Sequence, residues 1–147
     1  MLNHPHPAYQ LADWYAQLNA TSLNQLAQYY AEEVYFQDPL QSTTGAEAVQ
    51  SMFNQLFIRT ENTRFIILGV YLQNPQEAML RWELSMILQN RGIAFEGSSF
   101  LRFHADKVIY HRNYWDITEL VQPLSMAGML MHLIKKPLQH LHKKYQQ

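Results

Sequence analysis

Two short segments of this chain combine acidic, amide and imidazole side chains with aromatic residues. In residues 35–39 a short apolar run ends at Asp38, which is followed by proline. In residues 111–116, His111 and Asn113 precede the aromatic pair Tyr114 and Trp115, and Asp116 ends the segment. Imidazole and carboxylate groups can transfer protons near neutral pH. A few polar groups among aromatic walls are typical of a small-molecule pocket, and the sequence therefore predicts one.

Each polar residue in question also has a purely structural explanation. Aspartate commonly forms turns, so Asp38 could end a strand without touching a ligand. His111 could be a hydrogen-bonded core residue. Arg81 and Glu83 share one face of a predicted strand because they are two residues apart. An inward-facing pair would be functional, whereas a solvent-facing pair would stabilise the fold only slightly. The sequence leaves these alternatives open.

Composition and charge exclude several classes of protein. The 147 residues include no cysteine, which excludes disulfides and thiolate metal sites. Residues 1–116 carry 11 acidic and 7 basic side chains, whereas residues 117–147 carry one acid and four lysines. An acidic body argues against nucleic-acid binding. No metal-ligand cluster or nucleotide-binding glycine loop is evident, so no cofactor is predicted. Without a secretory signal pattern or an apolar run of roughly 18 residues, a cytoplasmic location is expected.

Helical periodicity predicts three helices within the first sixty residues. Two pairs have the spacing of a capping box, Ser22 with Gln25 and Thr44 with Glu47, and they are expected to begin the second and third helices. A short β-branched and aromatic strand at Val34–Gln37 separates these two helices.

The apolar pattern then changes to a period of two, which is typical of strands. Strands are predicted at residues 64–72, 77–89, 93–104 and 108–116, and short turns join them into an antiparallel meander. Helices followed by strands predict an α+β domain, with three N-terminal helices packed on a curved, mostly antiparallel sheet.

This order of elements resembles the nuclear transport factor 2-like superfamily, in its SnoaL-like (polyketide cyclase and ketosteroid isomerase-like) branch. The resemblance rests on residues 30–39 with Gly45, and on the ending at residues 114–116. It implies a single cone-shaped domain over residues 1–147, with a core at about 8–116 and a helical extension at 117–147. It also implies a small-molecule ligand inside the cone and a homodimer formed through the sheet.

The resemblance to ketosteroid isomerases is incomplete at the residues that would act. It places Asp38 at the catalytic base and Ser99 where a neutral acid would stand. Trp14 occupies the position of the catalytic tyrosine, although Tyr15 is adjacent. Because two of three parts are changed, steroid isomerisation is not predicted.

The resemblance to limonene epoxide hydrolases is also partial. Arg81 and Glu83 resemble its Arg-x-Asp element, with glutamate in place of aspartate. Asn113 stands where the second catalytic acid would be, and an amide cannot protonate an epoxide oxygen. Phe36 and Asp38 replace the tyrosine and the asparagine that would hold the water.

The leading hypothesis is a pocket that binds a small apolar or amphipathic molecule. The residues expected to contact this ligand are Trp14, Tyr15, Phe36, Phe53, Phe57, Phe95, Ser99 and Trp115. The alternative is an isomerase, a cyclase or an epoxide hydrolase-like enzyme. Its candidate catalytic residues are Asp38, Arg81, Glu83, His111 and Asn113. A third hypothesis is an adaptor that exposes a large apolar patch to a protein partner.

The end of the chain is predicted to be helical. Residues 117–135 are expected to pack over or beside the mouth of the cone through apolar side chains such as Leu120 and Leu133. A basic amphipathic helix that contacts an anionic membrane surface is the less favoured alternative.

Overall fold

The computed structural model describes residues 5–123, and all structural statements refer to that part of the chain. It contains six strands, four α-helices and one 3-10 turn. In chain order they are α1 (Pro7–Ala16), the 3-10 turn (Ser22–Gln25), α2 (Leu26–Tyr29), β1 (Tyr30–Gln37), β2 (Ser42–Thr44), α3 (Ala46–Arg59), β3 (Glu61–Asn74), β4 (Glu77–Leu88), β5 (Arg91–His104), β6 (Lys107–Trp115) and α4 (Ile117–Val121).

The strands form one sheet in the order β2-β1-β6-β5-β4-β3. The last four strands are an antiparallel meander, as predicted. β1 pairs in parallel with β6, which places Phe36 opposite His111. The predicted α+β class is confirmed. The parallel pairing brings the strand that ends at Asp38 beside the strand that carries the imidazole.

Alternate residues divide the sheet into two faces. On β4 the side chains of Leu80, Trp82 and Leu84 are buried, and they define the inner face against which the helices pack. Arg81 and Glu83 lie between them and define the outer face. This period of two follows from the pleat of the strand, and it puts the hydrophobic core between α1, α3 and the inner face.

Of the three predicted N-terminal helices, α1 and α3 are observed as full helices, and the second is only a 3-10 turn followed by four helical residues. The predicted capping box at Ser22 is wrong. The reciprocal bonds begin at Asn19 instead, whose Oδ1 accepts from the backbone of Ser22 at 3.0 Å while Ser22 Oγ accepts from the backbone of Asn19 at 2.9 Å. Thr44 does not cap α3, because it ends β2 and Gly45 precedes the helix with φ 102°.

The predicted C-terminal helix is not confirmed: the described residues contain only the five-residue α4. The Asp116 side chain caps it by accepting from the backbone of Thr118 at 2.9 Å. The continuation predicted beyond residue 123, with the proposed membrane contact, lies outside the described residues. Among residues 5–123 no helix is long and apolar enough to cross a membrane.

Candidate functional site

A cavity of about 150 Å³ lies between α3, α4 and the inner face of the sheet. Its polar contributions come from Asp38, Gln41 and Asn113, and the rest of its wall is apolar. The apolar side chains are Phe36, Leu40, Met52, Phe53, Leu56, Phe65, Trp82, Leu84, Met86, Phe95, Trp115 and Leu120. An apolar cavity with few polar groups is the usual arrangement of a small-molecule site.

Asp38 closes the turn after β1 and also faces the cavity. Its Oδ1 accepts hydrogen bonds from the backbone N–H groups of Leu40 and Gln41, at 2.8 and 2.9 Å. Its own N–H donates to the carbonyl of Gln41 at 2.9 Å. Burial raises the pKa of the Asp38 carboxyl, and the two backbone donors oppose that shift. Both explanations of Asp38 left open by the sequence therefore hold together: it forms the turn and lines the cavity.

His111 is the centre of a buried hydrogen-bond network beside the cavity. Its side chain is 1% exposed. Nδ1 lies 2.9 Å from the hydroxyl of Tyr30, which lies 2.5 Å from the hydroxyl of Tyr15. On the other side of the ring, Nε2 lies 2.7 Å from Asn113 Oδ1. The network thereby joins α1, β1 and β6.

A second arm of the network reaches Asn113 from β4 and β5. Ser99 lies opposite Asn113 in the sheet, and its hydroxyl donates to Asn113 Oδ1 at 2.5 Å. Trp82 Nε1 donates to Ser99 Oγ at 2.8 Å. The indole reaches this position by lying across Gly97, where an added Cβ would fall 2.4 Å from the ring. Glycine is therefore required opposite Trp82 for the second arm to form.

The network is uncharged at neutral pH. Burial lowers the pKa of His111 to about 4, so its imidazole is neutral. Burial also raises the pKa of Tyr15 and of Tyr30, whose hydroxyls stay protonated. Because both ring nitrogens of His111 already have partners, its imidazole positions neighbouring groups and has neither a lone pair nor a proton to spare for a ligand.

A smaller cavity of about 10 Å³ lies on the inner side of Asn113. Tyr15, Ser99 and His111 contribute to its lining. A space of this size is close to the minimum that holds one water molecule. Asn113 lines both cavities, so it stands between the buried network and the larger cavity.

Two predicted catalytic residues lie outside the cavities. Arg81 and Glu83 belong to the outer face, so the inward-facing alternative, on which their catalytic role depended, is wrong. Arg81 pairs with Glu96 across the strands at 2.9 Å, and these side chains are 51% and 55% exposed. Burying them would remove two charges from water, whereas Trp82 and its apolar neighbours gain free energy by facing inward.

Two predicted ligand contacts lie away from the two cavities beside the network. Trp14 borders a separate cleft of about 450 Å³ together with Gln17 and Tyr29. Its Nε1 donates to the carbonyl of Ser22 at 3.1 Å, and its ring stacks on Tyr29. Phe57 is half-buried against the core and lines neither cavity. The helical turn that carries Trp14 points Tyr15, and not Trp14, towards the site.

The remaining predicted ligand contacts do border a cavity. Phe36, Phe53, Phe95 and Trp115 line the larger one, and Tyr15 and Ser99 line the smaller one. Sequence reasoning missed Tyr30 and Trp82. The exposed Glu32 and a register shift between Tyr30 and Tyr35 interrupt the period of two, so alternation alone could not have identified Tyr30. Among residues 5–123 no cluster of His, Asp and Glu could hold a metal ion.

Several solved structures share this fold at low sequence identity. A protein from Catenulispora acidiphila with a ketosteroid isomerase-like fold, in complex with trimethylamine, has a TM-score of 0.68 and 14% identity over 82% of this chain and 93% of that chain. An NTF2-like protein of unknown function from Burkholderia pseudomallei has a TM-score of 0.73 and 11% identity, covering 83% and 99% of the two chains. An LEH-like epoxide hydrolase from M. tuberculosis has a TM-score of 0.67 and 9% identity, covering 88% and 97%. At these identities the likeness shows the fold alone.

The family assignment comes from the sequence itself. No functionally curated protein matches this sequence. The SnoaL-like domain family matches residues 11–111, a span that begins within α1, ends within β6 at His111 and includes all of β1. Since that match covers more than half of the sequence, the chain belongs to the SnoaL-like domain family.

Proposed function

We propose that this protein binds a small, largely apolar molecule with one polar group in the cavity beneath α3. The observation that carries this proposal is the cavity itself, about 150 Å³ of space with apolar walls and with Asp38 and Asn113 at its border. Engineered apolar cavities of about 150 Å³ bind a benzene-sized molecule. A single ring or a short branched chain is therefore the appropriate size of ligand.

Thermal unfolding in the presence of cyclohexanone tests the proposal. A ligand that binds only the folded state raises the melting temperature, because at free concentration c it stabilises that state by RT ln(1 + c/Kd). We expect Leu56→Trp, which fills part of the cavity from α3, to abolish this rise. Ile58→Trp is the matched control, because Ile58 lies on the same helix and is 67% exposed. Equal responses from both variants would contradict binding in this cavity.

A second candidate function is proton transfer next to a carbonyl group. Asp38 and Asn113 border the same cavity, and burial raises the pKa of the Asp38 carboxyl towards the range useful for a general base. The Asp38 carboxylate would take a proton from the carbon beside the carbonyl, and an amide proton of Asn113 would stabilise the enolate oxygen. The same proton, or one from solvent, then returns to carbon.

Exchange of the α-protons of cyclohexanone for deuterium, followed by proton NMR in D₂O, measures this activity directly. We expect exchange above the buffer rate in the wild type and not in Asp38→Asn. The asparagine oxygen can still accept the two backbone N–H bonds of the turn, so the variant removes the base and keeps the turn. If cyclohexanone binds but its α-protons do not exchange, the binding function is supported and the proton-transfer function is contradicted.

We also infer that the outer face of the sheet packs against a second copy of the chain. Four of its apolar side chains are 39–54% exposed, and a second copy of the chain would cover them. These are Ile66, Tyr71, Met79 and Tyr114. Light scattering should give twice the 17.3 kDa chain mass for the wild type, and the monomer mass for Met79→Arg. A monomeric wild type would favour the adaptor hypothesis, in which this surface receives a different protein.

A further inference from the structure

The direction of the hydrogen bonds in the buried network can be read from the groups that only donate. The indole N–H of Trp82 is a donor only, so Ser99 Oγ must accept from it. The Ser99 hydroxyl proton is then available to Asn113, 2.5 Å away. In this arrangement the oxygen of the Asn113 carboxamide faces Ser99.

The other arm gives the same orientation. His111 is neutral, so one ring nitrogen donates and the other accepts. With Asn113 Oδ1 facing Nε2 at 2.7 Å, Nε2 carries the proton and Nδ1 accepts from the hydroxyl of Tyr30 at 2.9 Å. The hydroxyl of Tyr15 then donates to Tyr30. Every donor in the network has an acceptor.

The opposite orientation of Asn113 leaves protons unpaired. Its NH₂ group would then donate to Ser99 and to His111, and the His111 proton would move to the side of Tyr30. Tyr30 would donate to Tyr15. The hydroxyl protons of Tyr15 and Ser99 would have no acceptor among the described residues. An unpaired buried donor costs roughly 1–3 kcal/mol, so two of them disfavour this orientation.

The fixed orientation determines what Asn113 presents to the cavity. Its Oδ1 receives two hydrogen bonds, whereas its Nδ2 makes none within residues 5–123. No buried side-chain nitrogen or oxygen in that part of the chain is without a partner. Asn113 lines both cavities, and its Oδ1 faces Ser99 and His111, which line the smaller one. The NH₂ group on the other side of the carboxamide is therefore directed to the larger cavity.

We propose that the network holds Asn113 as a fixed hydrogen-bond donor that selects uncharged acceptor ligands, such as ketones or esters, over donors and cations. This inference rests on the proposed binding function and adds the chemical class of the ligand. His111, Ser99 and Trp82 are positioning residues that act through Asn113. A donor fixed before binding loses little conformational entropy when the ligand arrives, which is the advantage of the network over a free amide.

Three probes of the same ring size separate the possible selectivities. Cyclohexanone carries an acceptor, methylenecyclohexane replaces that oxygen with an apolar CH₂, and cyclohexylammonium is a cationic donor. We expect the ketone to bind roughly two- to tenfold more tightly than methylenecyclohexane, the range of one net hydrogen bond. We also expect one side-chain amide proton of Asn113 to shift downfield in ¹⁵N–¹H spectra with the ketone only. The Trp82 indole signal should shift with either neutral probe.

Asn113→Asp provides the matched substitution. The aspartate oxygen keeps the two hydrogen bonds from Ser99 and His111 but replaces the donor with an acceptor, so the preference for the ketone should disappear. Asn54→Asp, the same chemical change at an exposed position of α3, should keep that preference. If Asn113→Asp fails to fold, the comparison of the three probes on the wild type still decides the question.

The outcomes distinguish this inference from the function on which it rests. Equal affinity for the two neutral probes, with no shift at Asn113, would overturn the donor role and leave ligand binding intact. If cyclohexylammonium binds more tightly than cyclohexanone, the donor role of Asn113 is wrong, and the Asp38 carboxylate is the group that recognises the ligand. If none of the three probes binds, both the inference and the proposed function are wrong.

Discussion

Protonation of His111 should make the stability of this protein depend on pH in a narrow window. Burial lowers the pKa of His111 from 6.5 to about 4. The unfolded chain therefore binds the proton more tightly than the folded one between these two values. The free energy of unfolding is then highest above pH 6.5 and falls as the pH drops from 6.5 to about 4.

The size of the effect follows from the same two values. One proton changes the free energy of unfolding by about 1.4 kcal/mol per pH unit, so the full window corresponds to about 3 kcal/mol. The main cause is the burial of the imidazole, which disfavours its charged form. A charged imidazole would also carry protons on both nitrogens. Tyr30 would have to turn its hydroxyl proton away from Nδ1, towards Tyr15, and the Tyr15 proton would then lose its acceptor.

Urea unfolding at pH 7 and at pH 4.5 measures this loss, and His111→Gln is the control. Glutamine can still donate to Asn113 but does not titrate. Between pH 7 and pH 4.5 the free energy of unfolding of the variant should therefore fall by roughly 2–3 kcal/mol less than that of the wild type. The Asp38 carboxyl has a raised pKa and changes stability in the opposite direction, but it is present in both proteins and cancels in the difference. Parallel pH profiles for the two proteins would refute the assignment of His111 as a buried neutral base.

Two further substitutions test the packing and the hydrogen bonds of the network. Gly97→Ala should destabilise the fold by about 1–3 kcal/mol because the new methyl group displaces the Trp82 ring, whereas Gly92→Ala should have little effect because nothing lies within 4 Å of that position. Denaturant midpoints compare the two, and equal losses would contradict the close approach of the indole. Tyr30→Phe should cost about 1–3 kcal/mol by leaving its two network partners unpaired, whereas Tyr35→Phe on the outer face should change stability by less than about 0.5 kcal/mol. Equal thermal shifts in these two variants would contradict a buried network.

The antiparallel part of the sheet could be predicted because its signals are local. Alternating apolar residues and short turns define β3 to β6, and neighbouring strands joined by such turns pair with each other. The parallel pairing of β1 with β6 brings together residues about 75 positions apart, such as Phe36 and His111. No local pattern encodes that contact, so the position of Asp38 relative to His111 could be inferred only through the resemblance to the family.

The error at Arg81 and Glu83 has a different origin. The alternation on β4 puts charged residues on one face and Trp82 with its apolar neighbours on the other, which predicts that the charged face is outward. The resemblance to epoxide hydrolases implied that Arg81 and Glu83 face the pocket. That resemblance is partial, because this chain lacks several of the catalytic residues of those enzymes. Direct physical reasoning on the strand was the better guide, because turning the strand over would bury two charged side chains and expose the Trp82 indole, and both changes are unfavourable.

Asn113 shows how one change of residue type alters what this kind of site can do. By the resemblance, it stands where an epoxide hydrolase carries a catalytic acid. An aspartate there would accept the same hydrogen bonds from Ser99 and His111, and these bonds would favour its charged form. It could then donate to a ligand only after taking up a proton. An amide needs no proton to donate, so the donor that Asn113 offers is present at every pH at which the protein is folded. That property suits a site that recognises a neutral acceptor, and it cannot supply the proton that opening an epoxide requires.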